Sequence, residues 1–154
     1  MGRRTRRLMG ILAGGLVLVQ FIRADRSNPP PEIEMPAPPE VQTILRRSCY
    51  DCHSNQTRWP WYSNVAPVSW VVARDVHQGR QHLNLSTWNR LSLEKQPRAI
   101  REIWEQVAEG EMPMSLYLPL HPDARLSADD KATLLAWAEA VGAPPGSQRL
   151  HPHK

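Results

Sequence analysis

The sequence predicts an all-α domain over residues 40–142, and three observations predict it. Apolar residues recur at helical spacing in four stretches between Val41 and Val141. Proline, serine and glycine stand at the ends of those stretches, where helix starts and stops want them. No stretch alternates apolar and polar residues with period two, so the sequence asks for no strand.

At 154 residues the chain fits one domain, with little room for a second. Its formal charge of +4 is unevenly placed. Residues 1–26 carry Arg3, Arg4, Arg6, Arg7, Arg23 and Arg26 against the single acid Asp25, and the remainder carries a net charge of −1. No basic stripe with interleaved aromatics is left, so nucleic acid is not expected as a partner. The sequence holds no nucleotide-binding loop, no paired carboxylates at catalytic spacing and no Ser-His-Asp pattern. Hydrolase chemistry therefore has no basis in it.

Residues 1–26 read as a signal-anchor. The basic MGRRTRR precedes an uncharged run from Leu8 to Ile22. Fifteen helical residues cover roughly 22 Å, short of the about 30 Å of a bilayer core. Arg7 and Arg23 can lengthen the span by reaching their charges toward the interface. Ile22-Arg23-Ala24 is a poor cleavage site, which favours an uncleaved transmembrane helix. The arginine excess puts the N-terminus in the cytoplasm and the domain on the periplasmic side of a bacterial inner membrane. Residues 27–39, SNPPPEIEMPAPP, hold six prolines in thirteen positions. They are expected to run as a polyproline II linker of roughly 40 Å, a spacer that lets the following domain stand clear of the bilayer.

The first predicted helix follows Pro38-Pro39, with Val41, Ile44, Leu45 and Ser48 on one face. Val68, Val71, Val72 and Val76 form the second stripe after Pro67, and Gly79 is expected to end it. Ile100, Ile103, Trp104 and Val107 form the third, ended by Gly110. Leu134, Trp137, Ala138 and Val141 form the fourth. Ser127 is its expected N-cap, with Asp129 and Asp130 at the positive end of the helix dipole. Gly142 and Pro144-Pro145 stop it, and residues 143–154 are expected to be a disordered tail. Four short helices with long proline-containing loops bury little apolar area. A domain of this kind needs a staple such as a disulfide, a metal or a large cofactor.

Cys49-Tyr50-Asp51-Cys52-His53 supplies one. Cysteines three apart lie one helical turn apart on the same face. Both thiols can form thioethers with two vinyl groups on one porphyrin edge, and His53 can then aim an imidazole nitrogen at the iron. Cys-x-x-Cys-His is the haem c attachment signature. Zinc would ask for a second Cys-x-x-Cys, and His77, His82 and His121 show no ligand-like pairing. A thioredoxin-type pair would sit at a helix start within a βαβ pattern, which is absent. A plain disulfide leaves the adjacent histidine unexplained.

The run CYDCHSNQTRWPWYSNVAPVSW, the segment GRQHLNLSTW and the run GEMPMSLYLPLHPDARLSADDKATLLAWA together resemble the bacterial haem-binding domain family, related to class I cytochromes c. The resemblance covers about residues 40–141. It implies a small helical c-type cytochrome fold around one covalent haem, preceded by an N-terminal membrane anchor, with Cys49, Cys52 and His53 as haem-binding residues.

The second axial ligand must come from elsewhere. Cytochromes c commonly set a methionine opposite the histidine, a soft thioether that raises the reduction potential. Met1 and Met9 belong to the targeting segment and Met35 to the linker, which leaves Met112 and Met114 around Pro113. The resemblance carries a Met-Pro pair here and so favours Met112; Met114 and His121 are the alternatives. Trp59, Trp61, Trp70, Trp88, Trp104 and Trp137 are expected to be core and haem-pocket walls. Asn55 and Thr57 are expected to close the loop after His53. One of their side chains, or a nearby carbonyl, is expected to accept the proximal imidazole N–H.

Three functions are compatible with these residues. The first is electron transfer through a His/Met-ligated iron, with redox proteins as partners. The second is a haem-based sensor or peroxidase-like enzyme with a labile sixth position and His77, His82 or His121 on the distal side. The third is a thiol–disulfide or metal-binding module without haem. A His/Met site suits outer-sphere exchange, which favours the first.

Overall fold

The computed structural model describes residues 2–141 and contains, among those residues, helices and no strand. The expected stop at Gly142 and the tail 143–154 lie outside the described residues. The α-helices are α1 (Arg3–Val19), α2 (Pro39–Ser48), α3 (Tyr50–His53), α4 (Val68–His82), α5 (Gln96–Ala108) and α6 (Ala128–Ala140). Short 3-10 turns lie at Trp61–Asn64, Leu85–Arg90 and Pro122–Ala124.

Local chemistry accounts for the helix ends. Pro39 opens α2, Glu40 sits at its positive end, and Arg46 and Arg47 face its negative end. α6 begins in a reciprocal capping box. The Asp130 backbone N–H donates to Ser127 Oγ at 3.0 Å, and the Ser127 N–H donates to Asp130 Oδ2 at 2.8 Å. Beyond α5, Gly110 takes φ +78°, a left-handed conformation that favours glycine. The second predicted helix runs further than expected. α4 passes through Gly79 and ends at His82, because Gly79 is buried against a neighbouring helix rather than serving as a cap.

The predicted stripe on α2 is the buried one: Val41, Ile44, Leu45 and Ser48 all face inward. α2 lies on α3 and α6, α5 lies on α6, and α3 lies on α4. Leu45, Leu85 and Leu134 are fully enclosed at the centre, with Trp88 and Trp137 beside them. The Arg47 guanidinium donates to Asp130 at 2.7 Å and joins α2 to the start of α6.

Two expectations for the N-terminal third change. Residues 27–38 form no helix or strand, yet the segment is not a free spacer. Met35 is 1% exposed and belongs to the core. Backbone bonds run from Glu32 N–H to Ser86 O (2.8 Å), from Met35 N–H to Leu85 O (2.9 Å) and from Trp88 N–H to Ile33 O (2.9 Å). Arg80 on α4 grips the same segment, donating to Ser27 O and Asn28 Oδ1, both at 2.8 Å. Backbone groups left free by the prolines are thus satisfied by the domain. The second change concerns the anchor. No helix among the described residues is long and apolar enough to cross a membrane. Arg3, Arg4, Arg6 and Arg7 fall inside α1, and the helix ends at Val19. Its apolar part, Leu8–Val19, covers only about 18 Å at 1.5 Å per residue. None of its residues is buried against the domain. Just beyond α1, Gln20 is fastened to Ala66, its side-chain N–H donating to the Ala66 carbonyl (3.0 Å) and its oxygen accepting from the Ala66 N–H (2.9 Å).

Candidate functional site

α2 delivers the chain to the cysteine motif. Cys49 is the residue between α2 and α3, and its carbonyl accepts the His53 N–H at 2.9 Å. Cys52 and His53 close α3, so the three expected site residues occupy one tight turn. Both thiols are free and half-buried. Burial, with Cys52 nearby, pushes the Cys49 thiol up to about 12. Burial, with Asp51 nearby, pushes the Cys52 thiol up to about 11. A thiol–disulfide exchange site does the reverse and holds a thiol below its ordinary value. Both sulfurs are therefore neutral thiols at physiological pH. Among the described residues, no three of His, Cys, Asp and Glu cluster so as to hold a metal ion.

The His53 imidazole is held neutral and in a fixed orientation. Burial pushes its pKa below the ordinary value, so the neutral form prevails at physiological pH and a ring nitrogen keeps its lone pair. Nδ1 lies 3.1 Å from the carbonyl oxygen of Leu83, just past α4. A carbonyl only accepts, so Nδ1 carries the proton and Nε2 is the nitrogen left for a metal. The orienting acceptor is therefore neither Asn55 nor Thr57 but a carbonyl thirty residues away in sequence. Thr57 does close the loop: its hydroxyl donates to Asp51 O at 2.8 Å and accepts from Arg80 at 2.9 Å. Asn55 is buried, donating its backbone N–H to Ser86 Oγ at 3.0 Å and accepting from Asn84 at 2.8 Å.

Gly79 explains how α3 and α4 come together. A Cβ at this position would stand 2.6 Å from Cys52 O and 3.2 Å from Cys52 Cβ. Only glycine lets the Cys49–His53 turn lie this close to α4, which in turn brings the Leu83 carbonyl within reach of His53. The sequence suggested a helix end at Gly79 and gave no signal of this contact.

Met112 and Met114 are both half-buried, in the loop between α5 and the turn at Pro122–Ala124. The Met112 N–H donates to Gln106 O at 3.1 Å, and the Met114 carbonyl accepts from Tyr117 N–H at 3.0 Å. His121 is committed elsewhere. Its Nδ1 lies 3.1 Å from Tyr117 O, its Nε2 lies 3.3 Å from Tyr62 Oη, and its ring stacks on Tyr117 at 3.8 Å. With both nitrogens engaged, it is the poorest of the three sixth-ligand candidates. His77 is exposed on α4 and paired with Gln81 at 2.9 Å, and His82 is exposed on the same helix. Of the tryptophans only Trp88 and Trp137 are buried, while Trp61 is 77% exposed.

The donor set can be tested against a large planar cofactor. Among the described residues, three buried polar atoms have no protein partner: Arg47 Nε, Ser48 Oγ and Trp59 Nε1. Two of these residues directly precede Cys49. Orphaned polar atoms on the two residues before the Cys49 thiol fit a group that brings its own hydrogen-bonding partners. A cavity of about 900 Å³ lies between residues 24–32 and the Trp70–Arg80 face of α4, with Trp59 among its lining residues. It touches none of Cys49, Cys52, His53 and Met112.

The Cys49–His53 turn thus sits against α2 and α4 with two free thiols and an oriented imidazole. Residues 14–140 match the family model described as a haem-binding domain, and the chain belongs to that family. Haem is the cofactor that this membership supports. No curated protein and no solved structure matches the chain.

Proposed function

We propose that the chain is a c-type cytochrome domain. Cys49 and Cys52 bind one haem covalently through their sulfurs, His53 Nε2 ligates the iron, and Met112 provides the opposite ligand. The observation that carries this reading is the bond between His53 Nδ1 and Leu83 O, which fixes the tautomer and ring direction that an axial ligand needs. When bound, the haem supplies a one-electron ferric/ferrous couple. The chain's own contribution is positional. α3 sets the spacing of the sulfurs, Leu83 holds the His53 proton at Nδ1, and burial keeps that imidazole neutral. A thioether at the sixth position suits outer-sphere electron transfer with redox proteins, and that is the role proposed here.

The N-terminal segment fits membrane attachment in this reading, with the haem domain on the periplasmic side of the inner membrane. Leu8, Ile11, Leu12, Leu16 and Leu18 are all exposed on α1, behind four arginines suited to anionic headgroups. Fractionation of the exporting host is expected to put the full chain with membranes, and deletion of residues 1–22 is expected to release it.

Protein made with the cytochrome c maturation machinery is expected to give a sharp, low-spin reduced spectrum that carbon monoxide does not alter. Met112→Ala is expected to remove the sulfur-to-iron charge-transfer band at the red end of the oxidised spectrum and to make the reduced protein bind carbon monoxide. Loss of that band in Met114→Ala instead would move the ligand to Met114. A wild-type protein that binds carbon monoxide would overturn the electron-carrier reading.

A further inference from the structure

One of the motif's two central residues, Asp51, carries more than spacing. Asp51, between the cysteines, receives three bonds from Arg58: the backbone N–H (3.0 Å) and two guanidinium N–H groups (3.2 and 3.1 Å). Its remaining oxygen partner is distant in sequence. The Tyr117 hydroxyl donates to Asp51 Oδ2 at 2.9 Å. The Tyr117 ring lies flat on His121, 3.8 Å between centroids and 9° between planes. His121 in turn meets the Tyr62 hydroxyl at 3.3 Å, with the two rings edge to face. Tyr117 and His121 belong to the loop after Met112 and Met114, whereas Asp51, Arg58 and Tyr62 belong to the attachment turn and the loop that follows it. Tyr117 also folds back by its N–H onto the Met114 carbonyl at 3.0 Å. Two segments that share no helix are thus pinned by a charge-assisted bond and an aromatic stack.

We propose that Tyr117 is a positioning residue. Its bond to Asp51 and its stack on His121 hold the methionine-bearing loop at a fixed height over the haem-attachment turn, and so set how firmly a methionine sulfur reaches the iron. This rests on the proposed His/Met ligation. Asp51 suits the task because Arg58 holds the carboxylate that Tyr117 reaches. Tyr117 suits it because the same ring that reaches Asp51 is braced from its other face by His121.

The test uses the full-length holoprotein and compares Tyr117→Phe, which keeps the stack but lacks the hydroxyl, with Asp51→Asn, which keeps an oxygen acceptor. A bond to a charged acceptor is strong enough for its loss to raise local opening roughly tenfold. Amide hydrogen exchange across residues 111–121 is therefore expected to speed up about tenfold in Tyr117→Phe. The methionine charge-transfer band is expected to bleach at lower temperature in that variant, while covalent haem content stays at the wild-type level. Asp51→Asn is expected to fall between Tyr117→Phe and wild type on both readouts. Unchanged exchange and an unchanged band in Tyr117→Phe would overturn the clamp. The exchange readout does not depend on what ligates the iron. A wild-type spectrum without the band would therefore overturn methionine ligation, and the exchange comparison would still decide whether Tyr117 pins the loop.

Discussion

Replacing Cys49 and Cys52 together with serine is expected to abolish covalent haem altogether. A hydroxyl does not add to a porphyrin vinyl group as a thiol does, so nothing would remain bound after denaturation, and acid extraction would move all pigment into the organic phase. The loss should also reach stability. Covalent attachment keeps a ligand at a very high effective concentration beside its pocket. Without it, the protein would keep haem only through His53 and apolar contact, and occupancy would fall with dilution. Each single variant is expected to retain one thioether and an intermediate yield. Retention of pigment by the denatured double variant would mean that other residues attach it.

Gly79→Val is expected to be the most damaging single change outside the motif itself. Even the Cβ of an alanine would stand 2.6 Å from Cys52 O and 3.1 Å from Cys52 C, both backbone atoms that have no rotamer to move into. Overpacking of this kind costs about 1–3 kcal/mol or more. A glycine inside a helix ordinarily gains up to about 1 kcal/mol when replaced by alanine, so Gly79→Ala nets a smaller loss. Valine adds two methyl groups and gives back most of that gain. The expected order of thermal stability is wild type, Gly79→Ala, Gly79→Val, with roughly 3 kcal/mol between the first and last. A second consequence is specific to the site. Pushing α4 from α3 withdraws the Leu83 carbonyl from His53 Nδ1, so the valine variant is expected to lose low-spin character as well as stability. Equal melting temperatures for all three proteins would mean that α3 and α4 do not touch as described.

Some of this was legible in the sequence, and the reasons are physical. Cys49, Cys52 and His53 fall in five consecutive residues, so their chemistry is local and the turn that unites them needs no tertiary information. α2 was legible because Val41, Ile44, Leu45 and Ser48 repeat at helical spacing, and these are the residues it buries. Ser127 was legible as a cap because a serine three residues ahead of an acid meets two orphan backbone groups at once. What was not legible depends on contacts between distant segments. The Leu83 carbonyl belongs to the backbone and leaves no mark in the choice of side chain. Gly79 looks like any glycine near a helix end until α3 is laid against it. Met35 is one apolar residue among prolines, and composition alone made its segment a spacer, whereas three backbone bonds and a core position hold it down. The Tyr117–Asp51 bond joins residues sixty-six apart and has no periodicity to betray it. At the N-terminus the apolar run was correctly seen, but α1 spends its first turns on arginines and closes at Val19, and a helix with those bounds is too short to span a bilayer.

The central claim is that two sulfurs of this chain are bonded to one porphyrin. Intact mass spectrometry of full-length protein, purified under denaturing conditions from a host that exports and matures it, tests that claim with no assumption about ligands or partners. The expected spectrum is a single species heavier than the polypeptide by one haem, with the added mass on the peptide that contains Cys49 and Cys52. A polypeptide of unmodified mass, with both thiols open to alkylation, would contradict it.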